Sequence, residues 1–66
     1  MIIATHSNVK VINYVRLKKI ENNIIVIQMN KYTLKIRGYN LGVSFFEKSE
    51  IQIDGQIEGI DYDYGK

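Results

Sequence analysis

The 66-residue chain contains no cysteine, no proline and no tryptophan, and its one histidine is His6. Without cysteine, neither a disulfide framework nor a cysteine-ligated zinc site can form. One histidine among a few scattered hydroxyl side chains supplies no set of groups for nucleophilic or acid–base catalysis. We therefore expect no catalytic residues, no metal site, no cofactor and no small-molecule substrate, and a protein that is not an enzyme.

Long hydrophobic runs are also missing. No apolar run approaches the roughly 20 residues that a membrane-spanning helix needs, and the apolar stretch at residues 2–4 is too short for the core of a signal peptide. The absence of cysteine fits a reducing compartment. We expect a soluble protein of the cytoplasm.

The residues that are abundant favour strands. Isoleucine, valine, tyrosine, phenylalanine and threonine make up 26 of the 66 residues, whereas alanine occurs once and leucine three times. β-Branched and aromatic side chains fit a pleated, half-buried surface and lose rotamer freedom in helices. The composition predicts one all-β domain spanning residues 1–66, a small antiparallel β-sandwich or partly open barrel of about five to seven strands, with residues 1–8 and 63–66 loosely ordered.

Alternation of apolar and polar residues predicts where the strands lie. Residues 9–20 read as one long strand that bends or bulges near Arg16, and Asn22-Asn23 reads as a turn. Residues 24–29 are apolar on both faces, which predicts a strand buried on both sides, in a sandwich or against a second subunit. Residues 32–37 alternate cleanly until the segment Gly38 to Asn40 breaks the strand.

Glycines mark the predicted irregularities. Gly38 is expected to take a positive φ at the reversal, a conformation that costs glycine little. The inward phase slips by one residue between Ile57 and Ile60, which predicts a β-bulge with Gly59 in the left-handed position. Asp54-Gly55 fits either a two-residue hairpin turn or the interior of a continuous bulged strand, and we favour the continuous strand. Gly38, Gly55 and Gly59 are thus the predicted fold-determining positions.

Charge is divided unequally along the chain. Residues 1–37 carry seven basic side chains and one acid, a net charge of +6, whereas residues 38–66 carry two basic side chains and six acids, a net charge of −4. One interpretation places basic strands beside acidic strands within the sheet. The other is a basic face for nucleic acid or anionic lipid.

A chain this short buries little surface, which favours self-association. It has no proline to protect sheet edges, and residues 24–29 present apolar side chains on both faces. We expect a two-fold homodimer in which the basic half of one copy meets the acidic half of the other, with Ile25, Ile27 and Met29 near the interface.

An RNA-binding small β-barrel of Sm-like or OB-like character is the alternative function. The string IRGYNL at residues 36–41 resembles the second signature of Sm-like proteins, and Tyr32, Tyr39 and Phe45-Phe46 offer stacking surfaces. However, alternation places Lys35 and Arg37 on the strand face opposite Tyr32. Nucleic acid is therefore not the partner we expect first.

The longer arrangement of strands and turns is more specific. From Ile12 onward the chain resembles the YabP/YqfC family of bacterial sporulation proteins, through a lead-in strand, the turn at residues 21–23, LKIRGYNL at 34–41, and IQIDGQI at 51–57 followed by Ile60 and Tyr62. The resemblance implies a non-enzymatic interaction module in endospore coat assembly. It also implies that an integral membrane protein is a candidate partner, through which a cytoplasmic chain would reach a membrane. Gly38 and Gly55 fall on recurrent glycines of the family.

Overall fold

The computed structural model describes residues 2–65, which form one antiparallel sheet of six strands and no helix. This confirms the predicted all-β class, and the open sheet agrees with a partly open barrel or sandwich. The strands are β1 (Ile2–Ala4), β2 (Asn8–Ile12), β3 (Arg16–Ile20), β4 (Ile24–Gln28), β5 (Thr33–Phe46) and β6 (Glu50–Asp63), and they lie in the order β1-β2-β6-β5-β4-β3.

The 14-residue strands β5 and β6 form a long hairpin that belongs to two half-sheets. The first half-sheet consists of β1, β2, residues 50–54 of β6 and residues 42–46 of β5. The second half-sheet consists of residues 59–63 of β6, residues 33–37 of β5, β4 and β3. A single chain of 66 residues can therefore pack one half-sheet against the other.

The hydrophobic core draws on both half-sheets, because the inward residues alternate along each strand. β-Branched and leucine side chains supply most of it, which explains why the composition is so rich in isoleucine. Its buried members are Val9, Val11, Ile25, Ile27, Met29, Leu34, Ile36, Leu41, Ile51 and Ile53.

The long hairpin bends at Asn40 and Gly55. Asn40 has a φ of 53° and Gly55 a φ of 142°, and the β5–β6 register shifts between Tyr39 and Gly42. The predicted turn at Asn22-Asn23 binds this bend, because the Gly38 and Leu41 amides donate to its carbonyl oxygens over 3.1 and 2.8 Å. The β3–β4 hairpin is thus attached to the bend by its turn.

The predicted break at residues 38–40 is wrong, because β5 continues through it. Asn40 supplies the left-handed conformation, which asparagine tolerates better than most residues. Gly38 does not have a positive φ. It is required for another reason, since a Cβ there would collide with the backbone oxygen of Gln56.

Residues 9–20 form two strands rather than one. Asn13, with a φ of 65°, ends the first strand, and the following residues cross from β2 in the first half-sheet to β3 in the second. The expected bulge occurs between Leu17 and Lys19. The sequence therefore located the irregularities but not the change of half-sheet.

The predicted phase slip in β6 is confirmed. Gly59 pairs with Arg37 and Ile57 with Gly38, so that Glu58 is the extra residue of a bulge. β6 runs without interruption through Asp54 and Gly55, as a strand rather than a hairpin turn. Gly59 itself has no positive φ, so the expected left-handed conformation at that position is wrong.

The apolar strand β4 is covered mainly on one face. Ile25 and Ile27 are fully buried and Met29 is 5% exposed, all within a single chain. Ile24 and Val26, on the other face, are half-buried. Burial on both sides was thus overestimated, because the outward face of the second half-sheet remains in contact with solvent.

The chain ends were expected to be loosely ordered at residues 1–8 and 63–66. Met1 and Lys66 lie outside the described residues. Residues 2–4 form β1, which pairs with β2 through Ile2 and Val11, and β6 ends at Asp63.

Candidate interaction groove

A groove of about 350 Å³ opens where the long hairpin bends. We call it the bend groove, and it is lined by Asn23, Ile24, Arg37, Gly38, Tyr39 and Glu58. Two features of the sequence create it. Gly38 lets the backbones of β5 and β6 approach closely where the hairpin bends, and the bulge places the extra residue Glu58 opposite the junction of Arg37 and Gly38.

Arg37 is held in position by acids from the next strand. Its Nε donates a hydrogen bond of 2.7 Å to Oδ2 of Asp61. The guanidinium group lies where a Cβ of Gly59 would be, so glycine at that position lets the arginine side chain lie across β6. The hydrogen bond and charge of Asp61, followed by the charge of Glu58, raise the pKa of Arg37 above its ordinary value.

Tyr39 presents the aromatic surface of the groove. It follows Arg37 by two residues and lies on the same face of β5, and 57% of its surface is exposed. The bend groove thus combines a fixed cation, a carboxylate and an exposed aromatic ring. This set can bind a peptide segment by stacking, ion pairing and hydrogen bonding.

Alternation along β5 could have placed Arg37 and Tyr39 on one face, although it does not reveal the groove. Tyr32 does lie in the strand phase opposite Arg37, but Tyr39 has the same parity as Arg37. The face shared by Tyr39 and Arg37 is therefore not visible from the position of Tyr32 alone. The position of Glu58 could not be obtained this way, because the bulge interrupts the alternation of β6.

Basic and acidic strands lie side by side, as the first interpretation of the charge distribution predicted. Among residues 2–65, three ion pairs join the two halves of the chain across β2–β6 and β5–β6: Lys10–Glu50 at 3.9 Å, Lys35–Asp63 at 3.8 Å and Arg37–Asp61 at 2.7 Å. A fourth, Lys19–Glu21 at 3.7 Å, lies within the first half. These exposed pairs are screened by salt and each stabilises the fold only weakly.

The predicted fold-determining glycines do not form one site. Gly38 lines the bend groove, and Gly59 lies beside it under Arg37. Gly55 lies on the other side of the bend, where a Cβ would lie 2.7 Å from the Asn40 oxygen. All three are positions where the backbone or a side chain of the neighbouring strand approaches closely.

The residues named for a dimer interface lie in the core. Ile25, Ile27 and Met29 are covered by their own chain, so they offer no exposed surface to a second copy. The homodimer itself stays a prediction, and any interface must use other residues.

Aromatic side chains gather at two further places. Tyr32 lies 5.3 Å from both Tyr62 and Tyr64, measured between ring centroids, and Tyr14 lies 6.3 Å from Phe46. Burial is the main cause of a raised pKa at Tyr32, and the two neighbouring tyrosines add to it.

His6 is exposed, and its backbone oxygen accepts a hydrogen bond from the Ile57 amide at 2.8 Å. Among residues 2–65, no three histidine, aspartate or glutamate side chains gather closely enough to hold a metal ion. Within the same range, no helix is long and apolar enough to cross a membrane.

The chain was compared with known proteins. No curated protein matches it significantly. The model of the YabP family matches residues 1–66, the full length of the sequence. The arrangement of strands and glycines that suggested this family therefore has independent support, and the chain belongs to the YabP family.

Proposed function

We propose that this chain is a non-enzymatic interaction module that takes part in endospore coat assembly. Membership in the YabP family, which suggests a sporulation-related protein, supports the setting. The YabP family is also not a known enzyme family. The observation that carries the proposal is the bend groove, which is lined by the exposed Tyr39 and by Arg37, both on the paired strand β5.

The side chains of the groove fit a protein partner. Tyrosine and arginine dominate the binding energy of protein interfaces, because they combine a large contact area with directed hydrogen bonds. Both are held on paired strands, so little conformational entropy is lost when a partner binds.

The charges of the groove favour protein over nucleic acid. Arg37 is already bound to Asp61, and Glu58 lines the same groove. A phosphate backbone would therefore meet carboxylates as well as the cation. A peptide that carries a basic side chain can instead place its cation near Glu58 and over the ring of Tyr39.

In this proposal the module works in the cytoplasm and reaches a membrane only through an integral membrane partner. The resemblance to the YabP/YqfC family supports a partner of that kind. The module itself needs no membrane-spanning segment for this role.

A complementation experiment in the spore-forming bacterium that encodes the chain tests the proposal. Spore coats are examined by electron microscopy after deletion of the gene and after its replacement by a Tyr39→Ala variant. We expect defective coats in both strains, while the purified variant keeps the melting temperature of the wild-type protein.

The matched control is Tyr64→Ala, which removes a more exposed tyrosine outside the groove and is expected to restore normal coats. Normal coats after gene deletion would contradict the role in coat assembly. Normal coats with Tyr39→Ala, in a strain whose deletion is defective, would contradict the groove as the interface.

A further inference from the structure

The two edges of the second half-sheet carry opposite charges. One edge is β3, which carries Arg16, Lys18 and Lys19. The other edge is the end of β6, residues 59–63, which carries Asp61 and Asp63. Among the described residues, β3 pairs only with β4, and residues 59–63 pair only with β5. Both edges are therefore open to another strand.

The outward rows of the half-sheet begin with a cation and end with a carboxylate. Each row is a set of residues paired in register across four strands. The two rows are Arg16–Gln28–Thr33–Asp63 and Lys19–Val26–Lys35–Asp61.

The inward rows begin and end with apolar side chains. They are Leu17–Ile27–Leu34–Tyr62 and Ile20–Ile25–Ile36–Ile60. Tyr62 ends the first of these rows and Ile20 begins the second, and each is about half exposed. The two middle residues of each row are fully buried. Ile20 and Tyr62 are thus apolar surface that the chain itself leaves partly uncovered, whereas the other two end residues, Leu17 and Ile60, pack against the core.

We propose that the chain associates head to tail, with β3 of one copy pairing with the end of β6 of the next. The pairing is antiparallel, because the four strands alternate in direction and β3 and β6 therefore run oppositely. It places Asp63 beside Arg16 and Asp61 beside Lys19 on the outward face.

On the inward face, the same register places Tyr62 beside Leu17 and Ile60 beside Ile20. The bulge between Leu17 and Lys19 makes this possible, since Lys18 is the extra residue. Without this extra residue, Ile20 would point outward and Lys19 inward, so that neither would match its row. One register therefore pairs opposite charges in the two outward rows and apolar side chains in the two inward rows.

The ion pairs within the chain leave room for this contact. Asp61 and Asp63 bind Arg37 and Lys35, but each of the two carboxylate side chains is about half exposed. A carboxylate offers about four lone-pair sites, so even Asp63, whose Oδ1 also accepts from the Gly65 amide at 2.9 Å, can accept from a further cation. In the row that contains Lys35 and Asp61, Lys19 of the next copy then continues the order cation, carboxylate, cation.

This contact joins two different surfaces, so each added copy leaves one basic and one acidic edge open. Assemblies of this kind close into rings or continue as filaments. The geometry differs from the two-fold dimer expected from the sequence. The paired residues 60–63 do not line the bend groove, although Asp61 also binds Arg37, so the two proposals can fail independently.

Sedimentation equilibrium of the full chain over a concentration series tests the self-association. We expect the average mass to rise above 7.7 kDa with concentration, and high salt to weaken the effect because the charges are exposed. The double variant Arg16→Glu/Lys19→Glu is expected to raise the dissociation constant at least about tenfold, since like charges then face each other.

The control is Lys31→Glu/Lys48→Glu, which changes net charge equally but in the two turns that flank β5, and it is expected to associate normally. A monomer at the highest concentration of wild-type protein would overturn the proposal. An equal loss of association in both variants would also overturn it.

Disulfide cross-linking tests the register, even if the charge variants fold poorly. The natural chain has no cysteine, and positions 19 and 61 lie three strand spacings apart, about 14 Å, too far for a bond within one chain. Oxidised Lys19→Cys/Asp61→Cys protein is expected to give a ladder of multiples of 7.7 kDa. No ladder, or an equal ladder from Lys31→Cys/Lys48→Cys, would refute the register.

Discussion

Replacing Gly55 by alanine is expected to destabilise the protein strongly. Its φ of 142° is a conformation that side chains rarely adopt, and forcing it costs about 1–3 kcal/mol. The new Cβ would also lie 2.7 Å from the Asn40 oxygen and 2.9 Å from Cδ2 of Leu41. Such overpacking costs about 1–3 kcal/mol more, so the total is about 2–6 kcal/mol.

That loss is large compared with the roughly 5–15 kcal/mol that stabilises an ordinary domain. Urea unfolding, followed by circular dichroism, measures it directly. In a thermal melt each kcal/mol corresponds to about 4–8 °C for a chain of this size. We therefore expect the Gly55→Ala variant to melt at least about 8 °C below the wild-type protein.

Gly42→Ala is the matched control. It changes the same residue type on the partner strand of the same hairpin, but no atom lies within 4 Å of the added Cβ, and its φ is not positive. The unfolded chain loses entropy, so this variant is expected to be neutral or more stable by about 0.4–1 kcal/mol. Equal melting temperatures for the two variants would refute the reasoning about the bend.

Three further predictions concern the core, the tyrosines and nucleic acid. Ile27→Ala is expected to lower the free energy of unfolding by about 2–5 kcal/mol in urea titrations at every protein concentration; a loss that depends on concentration would indicate an interface instead. Because the pKa of Tyr32 is raised in the folded state, stability is expected to fall as pH rises through and above about 10, and an unchanged alkaline stability profile would contradict this. Single-stranded RNA of about 20 nucleotides is expected to bind weakly and without saturation at physiological salt; saturable binding that Lys35→Glu/Arg37→Glu abolishes would favour the RNA-binding alternative.

Local alternation predicted much of the sheet because one face of each strand is buried. Leu34 and Ile36 point inward and Lys35 and Arg37 outward, as their spacing predicts. The slip between Ile57 and Ile60 located the bulge for the same reason, since a shift of phase needs an extra residue. These features depend only on neighbours along the chain.

The bend was harder to predict because it depends on contacts between strands. Gly38 reads as a break in the sequence, whereas its necessity comes from the approach of the Gln56 backbone oxygen. The bend groove has the same origin, because Glu58 meets Arg37 and Tyr39 only through the register of β5 with β6. No pattern within β5 contains that information.

Strand β4 shows why an apolar pattern cannot name the partner that covers it. The pattern of Ile25, Ile27 and Met29 predicts that these side chains are buried, but burial by the same chain and burial by a second copy give the same pattern. In this fold they belong to a core that both half-sheets of the same chain form. Any surface for self-association must then lie outside this buried pattern. The charged edge strand β3 is such a surface, and its Lys18 and Lys19 would ordinarily be read as protection against strand pairing. A row of cations repels a copy of itself, yet it attracts an edge of opposite charge. The same residues can therefore prevent β3 from pairing with β3 and favour its pairing with the acidic end of β6.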